Sequence, residues 1–146
     1  MHEYVDLTLA VRGATLAVQE YRLRAARAGF GVGATEMMTL SQLYTAGPQS
    51  PSDLARFLSV TTASMTELVD RLERGGHVSR RPHATDRRRI LIELNPESRA
   101  RIEKMFGRAE QATANAARHL SASEYRSVLR FLIDVADEYA RTDPTA

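Results

Sequence analysis

Helix stop and start signals crowd the stretch between residues 35 and 76, and they limit the fold more than anything else in the chain. A helix is expected from about Thr35 to Ala46, carrying apolar Met37, Met38, Leu40, Leu43 and Tyr44. Gly47-Pro48 stops it, because glycine suits the residue after a helix and proline cannot extend one. Ser50-Pro51-Ser52-Asp53 opens the next. Serine is a good N-cap, proline is preorganised for the first helical position, and the aspartate can reach back to the cap. This short helix, 51–58, carries Leu54, Ala55, Phe57 and Leu58. A turn at Ser59-Val60 follows, and Thr61 caps a third helix running to about Arg74. Met65, Leu68, Val69 and Leu72 give it one apolar face, and Gly75-Gly76 ends it.

The period then changes. Val78-Ser79-Arg80-Arg81 reads as a strand closed by Pro82, and Arg89-Ile90-Leu91-Ile92-Glu93-Leu94 as a β-branched, roughly alternating second strand. The polar loop 83–88 joins them as an antiparallel hairpin with an arginine-loaded tip. Long helices flank this region. Residues 4–28 carry two apolar stripes: Leu7, Ala10, Val11, Ala14, Val18, Tyr21 and Ala25 on one face, and Val5, Leu9, Leu16 and Leu23 nearly opposite. One stripe suffices for a surface helix, so two imply packing within the subunit and against another. GFGVG (29–33) is expected to break this helix. Asn95-Pro96-Glu97 starts a helix running to about Leu120, and Ser121-Ala122-Ser123-Glu124 is a capping box for the last, about 122–141. The expected fold is mainly α: a winged helix-turn-helix with a small antiparallel β-hairpin wing, whose N- and C-terminal helices form a dimerisation region. Residues 1–146 are read as a single domain, with a winged lobe at 35–94 and dimerisation helices at 4–28 and 96–141.

Charge distribution gives the partner. The net charge is only +2. Between Arg71 and Arg89, however, seven arginines face two acids, Glu73 and Asp86, a net of +5 in 19 residues. The arginine fork suits phosphates and guanine edges. In a helix-turn-helix the second helix offers its N-terminal residues to base edges in the major groove. Here those are Thr61, Thr62, Ser64, Thr66 and Glu67, with Arg71 further along. Short hydroxyl side chains allow close approach and bond phosphates or bases. Ser50 and Ser52 stand at a helix N-terminus, whose free N–H groups attract phosphate. Arg87 and Arg88 at the wing tip suit a narrow minor groove. An ordinary solvated hairpin end is the alternative reading of the arginine triplet 87–89, and a polar loop residue that of His83, which otherwise tunes binding with pH.

The run Leu-Val-Asp-Arg-Leu-Glu-Arg-Gly-Gly (68–76), then Arg-Arg-Pro (80–82) and Thr-Asp-Arg-Arg (85–88), followed by a strand and Asn-Pro, resembles the MarR family of bacterial regulators. The likeness extends over nearly the whole chain. It implies a homodimer with interlocked terminal helices, a pseudo-palindromic double-stranded DNA operator, and action as a repressor. It further implies that Arg88 enters the minor groove and that Asp86 holds the wing by pairing with arginine. Finally, it implies release of DNA by a small aromatic or lipophilic effector between the dimerisation helices and the DNA-binding lobe. Tyr21, Phe30, Met37 and Phe106 are the candidate lining, with core packing as their other reading. Glu67 stands where a basic residue is common in the family. It cannot contact phosphate, but it can accept from a cytosine amino group.

Other classes are set aside. The chain lacks cysteine, so disulfides, thiolate metal sites and cysteine redox sensing are out. His2, His77, His83 and His119 are scattered, so no metal or other cofactor is expected. Without a Gly-rich phosphate loop, HExxH or G-x-S-x-G motif, an enzyme is not expected. No stretch of 18 apolar residues is present, so no membrane span is expected. The opening MHEYVDLTLAVRG lacks the form of a signal peptide, and the expected location is the bacterial cytoplasm, at the nucleoid when DNA is bound. The competing function is a winged helix serving as a ligand-binding or protein-interaction module without DNA.

Overall fold

The computed structural model describes residues 4–86 and 88–143. Its elements run α1 (Val5–Ala25), a π-helical turn (Ala26–Phe30), α2 (Ala34–Ala46), α3 (Pro51–Leu58), α4 (Thr62–Arg74), β1 (Val78–Pro82), β2 (Ile90–Leu94), α5 (Pro96–Ala117) and α6 (Ala122–Arg141). They fall into two compact units, one ending at Met105 and the other beginning at Phe106.

The core of the first unit is built by the short helices and the hairpin. Leu40 and Leu43 of α2, Leu54 of α3, Met65, Val69 and Leu72 of α4, Val78 of β1 and Ile92 of β2 are almost fully buried. Their caps work as expected. Ser50 Oγ accepts the Asp53 N–H at 3.2 Å and donates to its carboxylate at 2.6 Å. Thr61 Oγ1 accepts the Ser64 N–H at 3.1 Å. The turn between α3 and α4 is a Schellman motif: Val60 N–H bonds Ala55 O and Ser59 N–H bonds Arg56 O. Ser59 occupies its left-handed position at φ 54°, where glycine would be the strain-free choice. The same motif ends α4, with Gly76 at φ 74° and His77 N–H on Leu72 O. β1 and β2 pair antiparallel from Val78↔Leu94 to Pro82↔Ile90, and Gln49 adds a single bridge to Ile92.

Three local expectations shift. The helix expected over 4–28 continues through Gly29 and Phe30 as the π-helical turn, and the break reduces to Gly31, at φ 66°, and the two residues after it. Phe30 is held because its ring packs on the His77 ring at 5.8 Å, and Arg101 Nη1 donates to Gly29 O at 3.1 Å. Asn95 does not cap α5 with its side chain. Its amide donates to Gly76 O at 2.8 Å and closes the base of the hairpin. The helix expected to reach Leu120 stops at Ala117.

In the second unit, Ser121 and Glu124 form the expected capping box: Glu124 Oε2 accepts the Ser121 N–H at 2.8 Å, and Ser121 Oγ accepts the Glu124 N–H at 3.3 Å. The stripe of α1 expected to pack within its own subunit is covered only in part, at Val11, Tyr21 and Ala25. Neither α1 nor α6 contains a buried residue. Leu9, Leu16 and Val18 of α1 and Tyr125, Val128, Leu129, Leu132 and Ile133 of α6 are exposed.

Candidate nucleic-acid interface

Burial of Met65, Leu68, Val69 and Leu72 fixes the rotation of α4. At about 100° per residue, its outermost positions are then Ala63, Glu67, Asp70 and Arg74. Thr61, Thr62, Ser64, Thr66 and Glu67 are all exposed, so the hydroxyl-rich first turns face solvent as expected. Two of these hydroxyls are engaged locally: Thr61 Oγ1 donates to Ser64 Oγ at 2.9 Å, and Thr66 Oγ1 to Thr62 O at 2.9 Å.

Ion pairs clamp α4 on both flanks. On the hairpin side, Arg80 of β1 donates to Asp70 at 2.5 Å and also pairs with Glu73. Both carboxylates raise the pKa of Arg80 against the opposing effect of burial, with the Asp70 hydrogen bond foremost. On the α2 side, Arg71 Nε donates to Glu36 Oε1 at 2.9 Å. Glu36 also accepts the Gly33 N–H through Oε2 at 2.7 Å, which caps the first turn of α2. Burial alone would raise the Glu36 pKa. The Gly33 N–H and the Arg71 guanidinium outweigh it and hold the carboxylate below its ordinary value.

The arginine cluster therefore divides in two. Arg71 and Arg80 hold α4, Arg81 pairs with Glu93 across the hairpin at 2.5 Å, and Arg74 Nε donates to Asp70 O at 3.3 Å. Arg88 and Arg89 at the wing are exposed and make no ion pair among the described residues. Arg87 lies outside the described residues. Asp86 supports the wing through the backbone: its carboxylate accepts the Arg88 N–H at 3.1 Å, and its carbonyl accepts the Arg89 N–H at 2.9 Å. Among the described residues this replaces the expected pairing with a guanidinium.

Two expected contact residues are placed differently. Ser50 is buried and its hydroxyl is committed to Asp53, so only Ser52 stands exposed at the start of α3. Asp53 is held ionised there, chiefly by the Ser50 hydroxyl. Arg71 turns toward α2. The signal for its pairing was present in Glu36, but 35 residues of intervening chain hid the partner.

The sequence profile of the MarR family matches residues 33–90. YcgE of Bacillus subtilis (strain 168), described as an uncharacterized HTH-type transcriptional regulator, is 31% identical over 114 residues, covering 78% of this chain and 74% of YcgE. The chain belongs to the MarR family. It is thus a transcriptional regulator rather than an enzyme. YetL of the same bacterium, an HTH-type transcriptional repressor, is 43% identical over 81 residues, 54% of this chain and 48% of YetL. FabT of Streptococcus pneumoniae, solved in complex with DNA, superposes with a TM-score of 0.76 at 20% identity, over 94% of this chain and 98% of FabT. That likeness establishes the winged helix fold of this MarR-family chain.

Of the four residues expected to line an effector cleft, Tyr21, Phe30 and Met37 lie in or against one apolar core cluster. Phe30 and Met37 belong to the buried core, and the Tyr21 hydroxyl donates to Met105 O at 2.8 Å. Phe106 is exposed in the second unit. A cavity of about 310 Å³ lies between α1 and α2, lined by Gln19, Arg22, Leu23, Ala34, Met37 and Met38. Met37 is the one lining residue shared with the expected four. That Gln19, Arg22 and Leu23 face Ala34 across this cavity has no sign in the sequence, because the period of α1 does not say which stretch of α2 it meets. No cluster of metal ligands and no helix long and apolar enough to cross a membrane occurs among the described residues.

Proposed function

We propose that this protein is a homodimeric repressor that binds a pseudo-palindromic duplex DNA operator in the bacterial cytoplasm and is released by a small apolar or aromatic anion. In this reading α4 lies in the major groove. Thr61, Thr62, Ser64 and Thr66 contact phosphates and base edges, and Glu67 accepts from a cytosine amino group. Ser52 and the start of α3 meet a phosphate. Arg88, with Arg87, enters the minor groove. The exposed apolar faces of α1 and α6 pair two copies, which places two recognition helices about one helical turn of DNA apart. The α1–α2 cavity takes the effector, its apolar wall receiving the ring and Arg22 the acid.

The observation that carries this reading is the sorting of the arginines. Four of the described arginines in the cluster are tied into the fold, while Arg88 and Arg89 on the wing are exposed and make no ion pair among the described residues, beside a clamped, hydroxyl-rich helix. A protein-interaction module would not need an arginine-loaded wing beside a hydroxyl-rich helix. Selection of bound duplexes from random sequence is expected to yield an inverted repeat. With on the order of eight phosphates neutralised, the log–log salt slope is expected near −7. Arg88→Ala is expected to weaken operator binding severely without altering folding. A slope near zero, or equal affinity of the variant and wild type, overturns the reading. An effector is sought among aromatic acids by thermal shift, with loss of operator binding in the same titration.

A further inference from the structure

The two clamps on α4 differ in reach. Arg80 ties it to the adjacent strand, whereas Arg71 ties it to Glu36 in the first turn of α2, 35 residues earlier in the chain. Glu36 is the more buried partner of that pair, with its side chain 17% exposed against 51% for Arg71. Its two oxygens do separate work: Oε2 caps Gly33, and Oε1 receives Arg71. Five residues, 31–35, separate it from the π-helical turn, and such turns are frequent at functional sites. Ala34, Met37 and Met38, its neighbours on α2, line the α1–α2 cavity. One carboxylate thus joins the entry of α2 to the flank of the reading helix.

We propose that Glu36 is a positioning residue for DNA recognition, which sets the orientation of α4 through Arg71 and makes that orientation follow the first turn of α2. This rests on the DNA-binding reading above. Neither residue need touch DNA. Arg71 lies on the flank of α4 rather than on its outermost line, and its charge is already countered. Its role is geometric, so its loss should damage discrimination between operator and other DNA and leave general attraction to phosphate intact.

The test compares Glu36→Gln, Arg71→Met and the double variant on the selected operator and on a random duplex of equal length. Glutamine keeps an acceptor for the Gly33 N–H, and methionine leaves the α2 cap untouched, so folding is guarded from two sides and checked by thermal melting. Each single variant is expected to lose roughly tenfold in operator affinity, within the range seen for residues that modulate coupling. Random-duplex affinity and the salt slope should not change, and the double variant should lose no more than either single one. Tighter binding by Glu36→Gln to both duplexes would overturn the proposal, because Glu36 would then be restraining a direct phosphate contact. A fall in salt slope of about 1 with Arg71→Met, or additive losses, would also overturn it. If wild type discriminates and the variants discriminate equally, only this inference fails. If wild type shows no preference for any duplex, the DNA reading itself fails and takes the inference with it.

Discussion

Leu132 offers the sharpest measure of assembly. It sits midway along α6 with 49% of its surface exposed, beside Val128, Leu129 and Ile133 at 43%, 46% and 52%. A single chain gains nothing by presenting such a face to water. Full burial of a leucine side chain stabilises by about 1.5–3 kcal/mol, so the half still open in the monomer is worth about 1 kcal/mol per copy. In the proposed dimer, twofold symmetry places the same residue in the interface twice, which gives about 2 kcal/mol and an expected rise of roughly thirtyfold in the dimer dissociation constant for Leu132→Ala. Leu132→Arg adds two cations that must be desolvated, and it should leave a monomer at concentrations where wild type is dimeric. Sedimentation equilibrium reads both. Phe57→Ala is the control: Phe57 is also 49% exposed, but it belongs to α3, and the assembly should ignore its loss. A dimer of undiminished strength in Leu132→Arg, or equal weakening by Phe57→Ala, would refute the assignment of this face.

Three further outcomes are expected. Ser59→Gly relieves the left-handed strain at the α3–α4 turn and should raise stability by up to about 1 kcal/mol, or roughly 3 °C in Tm; a lower Tm would mean that the unfolded chain's gain in freedom outweighs the relief. Arg80→Met removes the hairpin-side clamp. Since Asp70 and Glu73 retain 49% and 39% exposure, solvent screening limits the cost to about 1 kcal/mol, and urea unfolding should show Asp70→Asn with Glu73→Gln restoring most of it. Acid should weaken the unit through Glu36. Its folded pKa lies below the ordinary glutamate value, so its stabilisation is complete above that ordinary value and is lost as pH falls through the depressed one. Glu36→Gln should flatten that part of the stability–pH curve; an unchanged acid limb would count against the ionised pair.

What the sequence made legible was local. A cap acts over three residues, so Ser50 with Asp53, Thr61 with Ser64 and Ser121 with Glu124 could be read directly, and the change to alternation at 78–94 disclosed the hairpin. What it hid was pairing across distance. The +5 cluster looked like one basic surface because the carboxylates that neutralise it come partly from elsewhere: Glu36 from α2 and Glu93 from β2. The packing of Phe30 was hidden for a related reason. Phe30 looks like a cleft residue next to glycines, yet the π-helical turn carries it onto His77, a contact no helical period announces.

The sorting of charge has a physical logic that a uniform basic patch would lack. Free arginines attract any duplex, because phosphate contacts carry no sequence information. A regulator that met DNA with all seven exposed would gain affinity for every site and discrimination for none. Pairing Arg71 and Arg80 with carboxylates converts two sources of general attraction into two fixed distances that hold α4 from opposite flanks. The general attraction is left to the wing, where Arg88 and Arg89 are unpaired among the described residues. The outermost line of α4, Ala63, Glu67, Asp70 and Arg74, carries two acids against one cation. On the proposed reading, binding there has to come from fit, since a misplaced cytosine or a shifted groove would offer Glu67 nothing in return. Under this division, removing a wing arginine should lower affinity for all DNA alike, whereas loosening a clamp should lower the preference for one sequence over another.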